Sequence, residues 1–259
     1  MVPIYNQNII LLFPGFLGIC LGIVCDWLVT KVPMTRGIII RGCVHCERKF
    51  QISAQQIWPL RCNTCGSFRP LRLWIIVGIL TISSIFFWNI SKCELYFVCA
   101  LTLMVFFTVV SVIDIEHRVI LKIEIFIGLI LAFLIGIFRN GILSCLFGAG
   151  VGVSLFLGSY LLGKIYVRIR YSSEMQNREI EPAIGFGDVC FGFIISLLLG
   201  WSEILIGLFL SVLFTGIFGS FILARRIVNR EDTKNLYLPL TPFISLATIL
   251  VLTMDLLRY

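Results

Sequence analysis

The stretch Ala183-Ile184-Gly185-Phe186-Gly187-Asp188-Val189 sets one carboxylate between a glycine-containing turn and an apolar run that begins at Cys190. An ionisable side chain at the mouth of a membrane span is expensive, so such a residue marks a candidate functional site. The two glycines permit backbone conformations that other residues resist, and they let another chain approach closely. A second carboxylate, Asp114, closes the apolar run Leu95 to Ile113. The rest of the chain reads as machinery that holds Asp114 and Asp188 together at one face of a membrane.

Hydrophobic residues make up 59% of the 259 and charged residues only 14%, which excludes an ordinary soluble domain. Several apolar runs approach the ~20 residues that a helix needs to cross a bilayer core. The expected spans are Asn8 to Val29, Leu73 to Ile90, Leu95 to Ile113, Val119 to Phe138, Ile142 to Ile165, Val189 to Leu199, Ile204 to Ala224 and Leu238 to Leu257. The sixth is long enough only if Gly185–Asp188 and Gly200–Glu203 lie at the two interfaces. The fold class is therefore an all-α polytopic membrane protein of about eight transmembrane helices.

A net charge of +7 in a soluble protein would suggest nucleic acid. Its distribution here argues for membrane topology and against a nucleic-acid partner. With the amino terminus outside, the inside segments hold 18 of the 21 basic residues, and only Lys92, Arg139 and Arg258 fall outside. That asymmetry is the positive-inside bias. No Lys or Arg precedes Lys31, so the positive n-region of a cleavable signal is missing and the first stretch reads as a span.

Residues 36–70 are polar and basic and contain two C-x-x-C pairs, Cys43/Cys46 and Cys62/Cys65, separated by 15 residues. This spacing fits a four-thiolate zinc site. The segment falls on the reducing side, where disulfides are disfavoured, and about 35 residues need a staple to fold alone. A small cytoplasmic zinc-binding module between the first two helices follows, with zinc in a structural role and His45 a bystander. The other cysteines, Cys20, Cys25, Cys93, Cys99, Cys145 and Cys190, read as small apolar residues of the spans, a Cys93–Cys145 bond being conceivable.

The remaining polar residues have blander readings. Asp26 pairs at the interface with Lys31 or Arg36, and Glu116, His117 and Arg118 are loop charges. Glu124 faces the bundle or snorkels towards Arg118. The small residues of the fifth span, Gly148, Ala149, Gly150, Gly152, Ser154, Gly158 and Ser159, permit close helix packing in lipid. Pro239 and Pro242 mark a helix start.

Two carboxylates brought close cannot both ionise readily, so one keeps a proton. The ionised member can take a proton from water while the neutral one polarises a peptide carbonyl. This is aspartic-protease chemistry, although transporters also pair intramembrane acids as proton relays.

Asp114 followed by Glu116-His117-Arg118-Val119-Ile120, together with Gly185-Phe186-Gly187-Asp188-Val189, resembles the two active-site motifs of type IV prepilin peptidases, the GxGD aspartic peptidases. The four-cysteine module after the first span and Pro239/Pro242 near the last agree with the bacterial branch. The resemblance implies Asp114 and Asp188 as catalytic residues supported by Gly185 and Gly187. It also implies cleavage of the basic leader of type IV prepilins or pseudopilins at the cytoplasmic face of the bacterial inner membrane, with both termini outside. Members commonly also methylate the new amino terminus with S-adenosylmethionine. The expected organisation is then a first transmembrane helix (1–35), the zinc module (36–70) and a transmembrane peptidase domain (71–259) in contact with membrane lipid. Cys190 stands where the family usually has Lys, and Leu121 and Lys122 stand where it has Pro and an acid or amide. The competing readings are a proton-coupled transporter, a non-catalytic pilus or secretion scaffold, and an intramembrane protease of other helices.

Overall fold

The computed structural model describes residues 7–34, 71–91, 93–170, 185–229 and 238–258, and every regular element among them is an α-helix. In chain order these are α1 (Gln7–Met34), α2 (Leu71–Ile90), α3 (Glu94–His117), α4 (Lys122–Arg170), α5 (Phe186–Val228) and α6 (Thr241–Arg258). Five contain stretches long and apolar enough to cross a membrane, and α6 is a shorter apolar helix. The chain is a multi-pass helical membrane protein. Cys43, Cys46, Cys62 and Cys65 lie outside the described residues, as do Lys92 and the segment 171–184.

The structure has six helical elements where the sequence suggests eight separate helices. α4 takes in the expected fourth and fifth spans, and α5 the sixth and seventh. A continuous α4 would run about 74 Å at 1.5 Å per residue, more than twice the ~30 Å hydrocarbon core. The chain avoids this by breaking each element at a glycine. Gly141 has φ 76° and ψ 160°, and Gly200 has φ 70° and ψ −175°. Both lie at positive φ, where a side chain would clash with its own backbone. At Gly141 the chain folds back on itself. A Cβ placed on Gly136 would lie 3.2 Å from Cys145 Sγ, although nine residues of straight helix would separate them by about 13 Å.

Two compact units make up the chain, Met1–Ile113 and Asp114–Tyr259. In the first, α1 packs on α2 through Gly18 and Gly22, a small-xxx-small pair. A Cβ at Gly18 would meet the Thr81 Cα at 2.6 Å, and one at Gly22 the Val77 Cα at 2.7 Å, so the backbones themselves are in contact. Near one end of this pair Asp26 is buried, and Arg72 of α2 donates from Nε to its Oδ1 at 2.8 Å. Arg72 Nη2 donates to Thr30 Oγ1, also at 2.8 Å. The sequence offers Lys31 and Arg36 as partners of Asp26; the structure supplies Arg72, 46 residues away. Trp88 stacks edge-on against Phe97 at 5.1 Å and tilts against Phe13 at 5.6 Å.

In the second unit α4 packs on α5. Gly148 faces the Gly200 backbone and the Ser196 carbonyl, and Gly152 faces the Ser196 side chain, whereas Gly150 and Gly158 have open space around them. Two of the four glycines in the expected small-residue run are therefore used for this packing, on one helical face. The break at Gly200, which is buried in the packed protein, strands backbone groups, and leaving buried backbone groups unsatisfied is costly. Two α4 side chains satisfy them. Asn140 Nδ2 donates to the carbonyls of Leu198 and Leu199, each at 3.1 Å, and the Trp201 N–H donates to Ser144 Oγ at 3.2 Å.

A second polar cluster joins α4, α5 and α6. The Arg139 guanidinium donates to Asp255 Oδ2 through Nε at 3.0 Å and Nη2 at 2.8 Å, and Nη2 also donates to both oxygens of Glu203. All three side chains are largely shielded. The described cysteines are free thiols, Cys93 and Cys145 included.

Candidate active site

Asp114 lies one turn before the end of α3 and is buried. Its carboxylate accepts the backbone N–H of Thr241 at 3.2 Å. Thr241 is the first residue of α6, whose opening turn is closed by Phe243 and Ile244 N–H groups donating to the Leu240 carbonyl. The first N–H groups of a helix have no intrahelical acceptor and carry the positive end of its dipole. Asp114 therefore sits where α6 favours negative charge. The Thr241 side chain also acts on this carboxylate. Among the described residues its hydroxyl, fully buried, makes no hydrogen bond of ordinary geometry.

Asp188 is the third helical residue of α5. Gly185, the N-cap, is extended at φ −77° and ψ 158°. The Gly185 N–H donates to Asp188 Oδ2 at 3.0 Å, and the Asp188 N–H donates to the Gly185 carbonyl at 3.1 Å. This is the carboxylate half of a capping box. The expectation that both glycines serve unusual backbone angles needs correction. Among the described residues the positive-φ glycines are Gly141 and Gly200. What Gly187 supplies is a missing side chain, since a Cβ there would lie 3.3 Å from the Ile120 Cβ.

Ile120 belongs to the short connection between α3 and α4. Arg118 opens it with its N–H on the Asp114 carbonyl at 2.8 Å and with φ 55°, an uncommon value for a residue with a side chain. Leu121 closes it as the N-cap of α4, its carbonyl accepting the Ile125 N–H at 3.1 Å. Glu124, at the third position of α4, reaches back so that Oε2 accepts the Leu121 N–H at 2.8 Å. Asp188 and Glu124 thus repeat one local geometry at the starts of two helices.

Asp114 and Asp188, 74 residues apart in the chain, lie within electrostatic range of each other, and Glu124 lies within range of Asp114. Arg118, exposed at the edge, acts on Asp114 with the opposite sign. The structure therefore brings the two sequence-predicted carboxylates together and adds a third. His117, expected in a loop, is instead the last residue of α3, with Nε2 3.9 Å from the Glu116 carboxylate. Among the described residues no group of three or more His, Cys, Asp and Glu is arranged to hold a metal ion. Pro242 lies in the first turn of α6, as expected of a helix-start proline, and Pro239 in the non-helical segment just before it.

Fold and site together define a multi-pass helical membrane protein with acidic side chains gathered at helix N-termini. Residues 101–220 match the model of the type IV leader peptidase family, a stretch that contains both Asp114 and Asp188. The match bears out the resemblance read from the sequence and supports a peptidase. No curated protein and no solved structure matches it.

Proposed function

We propose that the protein is a membrane-embedded aspartic endopeptidase that removes the leader of type IV prepilins or pseudopilins at the cytoplasmic membrane face. The observation that carries this reading is the approach of Asp114 and Asp188, each bonded to a backbone N–H at the start of a helix. In the reaction the ionised carboxylate takes a proton from water as the water oxygen attacks the scissile carbonyl carbon. The neutral carboxyl gives its proton to the carbonyl oxygen. Collapse of the tetrahedral intermediate breaks the C–N bond: the proton gained from water passes to the departing amine, and one hydroxyl of the intermediate returns its proton to the other carboxylate as the product carbonyl forms. General acid–base catalysis of this kind contributes roughly 10²–10⁴-fold. The helix N-terminal donors hold the carboxylates in place and do not themselves transfer protons.

Orientation follows from charge. The basic segments flanking Asp114 and Asp188 favour the cytoplasmic side, so the site opens there. Cys43, Cys46, Cys62 and Cys65 would hold one structural zinc ion, a reading supported by their spacing. Methylation of the new amino terminus with S-adenosylmethionine is a second activity that the resemblance implies. The test is co-expression with a prepilin-type substrate and mass measurement of its amino terminus, which reports cleavage and methylation together. Wild type should release the leader, and Asp114→Asn and Asp188→Asn should each abolish release while the protein stays inserted and folded. Substantial cleavage by either purified variant removes that residue from the pair.

A further inference from the structure

We propose that Glu124 is a positioning residue for the aspartate pair, acting through the connection 118–121; the inference rests on the peptidase reading above. Three observations converge on it. Glu124 is only 5% exposed, and its Oε1 is buried without a hydrogen-bond partner among the described residues. A helix start does not require this, because an exposed Ser, Asp or Asn at the N-cap stabilises it through the N2 or N3 N–H without burying a carboxyl group. The position breaks a local stability rule, and such breaks concentrate at functional sites.

The second observation is what Glu124 holds. Its carboxylate accepts the N–H of Leu121, itself buried, and so fixes where the connection joins α4. The third is what the connection touches. At its start the Arg118 N–H is bonded to the Asp114 carbonyl, and Arg118 carries the strained φ. In its middle Ile120 lies against Gly187, the residue before Asp188. Four residues therefore run from one aspartate, past the turn that carries the other, to the Glu124 anchor. A shift of Leu121 moves Ile120 against Gly187 and changes the relation of the two carboxylates.

The experiment compares wild type, Glu124→Gln and Glu124→Met as purified full-length chains, measuring kcat and KM for leader release with the folded fraction counted by size exclusion. Gln keeps an oxygen that can accept the Leu121 N–H, so kcat should stay within about 3-fold of wild type. Met matches the length but has no oxygen to accept that N–H. A misplacement of about 1 Å costs on the order of 10²-fold in rate, so kcat per folded molecule should fall by at least ~30-fold with KM nearly unchanged. A residue that only stabilises α4 would lower the folded fraction and leave kcat per folded molecule intact, which would overturn the inference. So would a Gln variant as inactive as the Met variant. If the Met protein does not fold, Glu124→Asp replaces it, its carboxylate one methylene short of Leu121. Lost kcat with intact KM then supports the inference, and retained kcat overturns it. Wild-type chain that fails to cleave would overturn the peptidase reading and this inference together; cleavage by wild type and not by Asp114→Asn isolates the test to Glu124.

Discussion

Gly148 and Gly150 stand two residues apart on the same arm of α4, and the structure gives them opposite responses to alanine. A Cβ on Gly148 would lie 2.5 Å from the Gly200 carbonyl carbon, 2.7 Å from its Cα and 2.8 Å from the Ser196 oxygen. Carbon atoms rest about 3.5–4.0 Å apart, so α4 and α5 would have to separate by about 1 Å. All three obstacles are backbone atoms and cannot rotate away. Overpacking of this kind costs about 1–3 kcal/mol. Alanine returns about 1 kcal/mol of helix propensity, which leaves Gly148→Ala destabilised by up to about 2 kcal/mol. A Cβ on Gly150 would meet nothing within 4 Å among the described residues beyond its own stretch of helix, so Gly150→Ala keeps the propensity gain alone. The propensity contribution is common to both, and the two variants should therefore differ by about 1–3 kcal/mol whatever its value in a micelle. Denaturation of the purified protein by sodium dodecyl sulfate in mixed micelles, followed by circular dichroism, reads this difference. Equal midpoints for the two variants would refute the backbone-to-backbone packing of α4 on α5.

Other outcomes follow from the same physical reasoning. Arg139→Met leaves Glu203 and Asp255 facing each other without their shared cation, and breaking a shielded ion cluster this way costs about 3 kcal/mol or more; the same denaturation assay should show it, and a midpoint equal to wild type would mean the cluster contributes nothing. Metal analysis should find one zinc per chain, lost when either cysteine pair, Cys43/Cys46 or Cys62/Cys65, is changed to serine, and leader cleavage should suffer less from these changes than from loss of either aspartate. In an otherwise cysteine-free background, a cysteine at Ser202 should react with an impermeant reagent in intact cells and one at Ser172 should not; labelling of the Ser172 site from outside would invert the topology.

How much of this was legible beforehand differs by scale. Asp114 and Asp188 stood out because each interrupts a long apolar run, and hydrophobic contrast is a one-dimensional signal. The breaks inside α4 and α5 were visible as interruptions too, at Arg139-Asn140-Gly141 and Gly200-Trp201-Ser202-Glu203. That Asn140 and Ser144 complete the hydrogen bonds of the second break was not, because their partners are backbone groups nearly sixty residues away. The Thr241 N–H on Asp114 spans 127 residues, and nothing local announces it. Glu124 had a readable signal that went unused: three residues after Leu121, it is the acid of a capping box whose N-cap is apolar. The Gly18/Gly22 pair was equally plain as a small-xxx-small motif. Asp26 is the converse: Lys31 and Arg36 lie near it in sequence, while the structure reaches across to α2 for Arg72.

That Asp26–Arg72 bond has an evolutionary consequence. The chain leaves the membrane at the end of α1 and returns at the start of α2 with those two exits already tied together by 2.8 Å contacts to Asp26 and Thr30. Whatever is inserted between them closes a loop whose ends the helices have fixed in advance. Closure entropy grows only logarithmically, by roughly 0.6 kcal/mol for each doubling of length. The segment between the exits can therefore lengthen, shrink or be exchanged for another domain with little penalty to α1 and α2. Its joint works as a socket, and the cysteine-bearing insert is free to change at its own pace while the helices beneath it stay under the constraints of the bilayer.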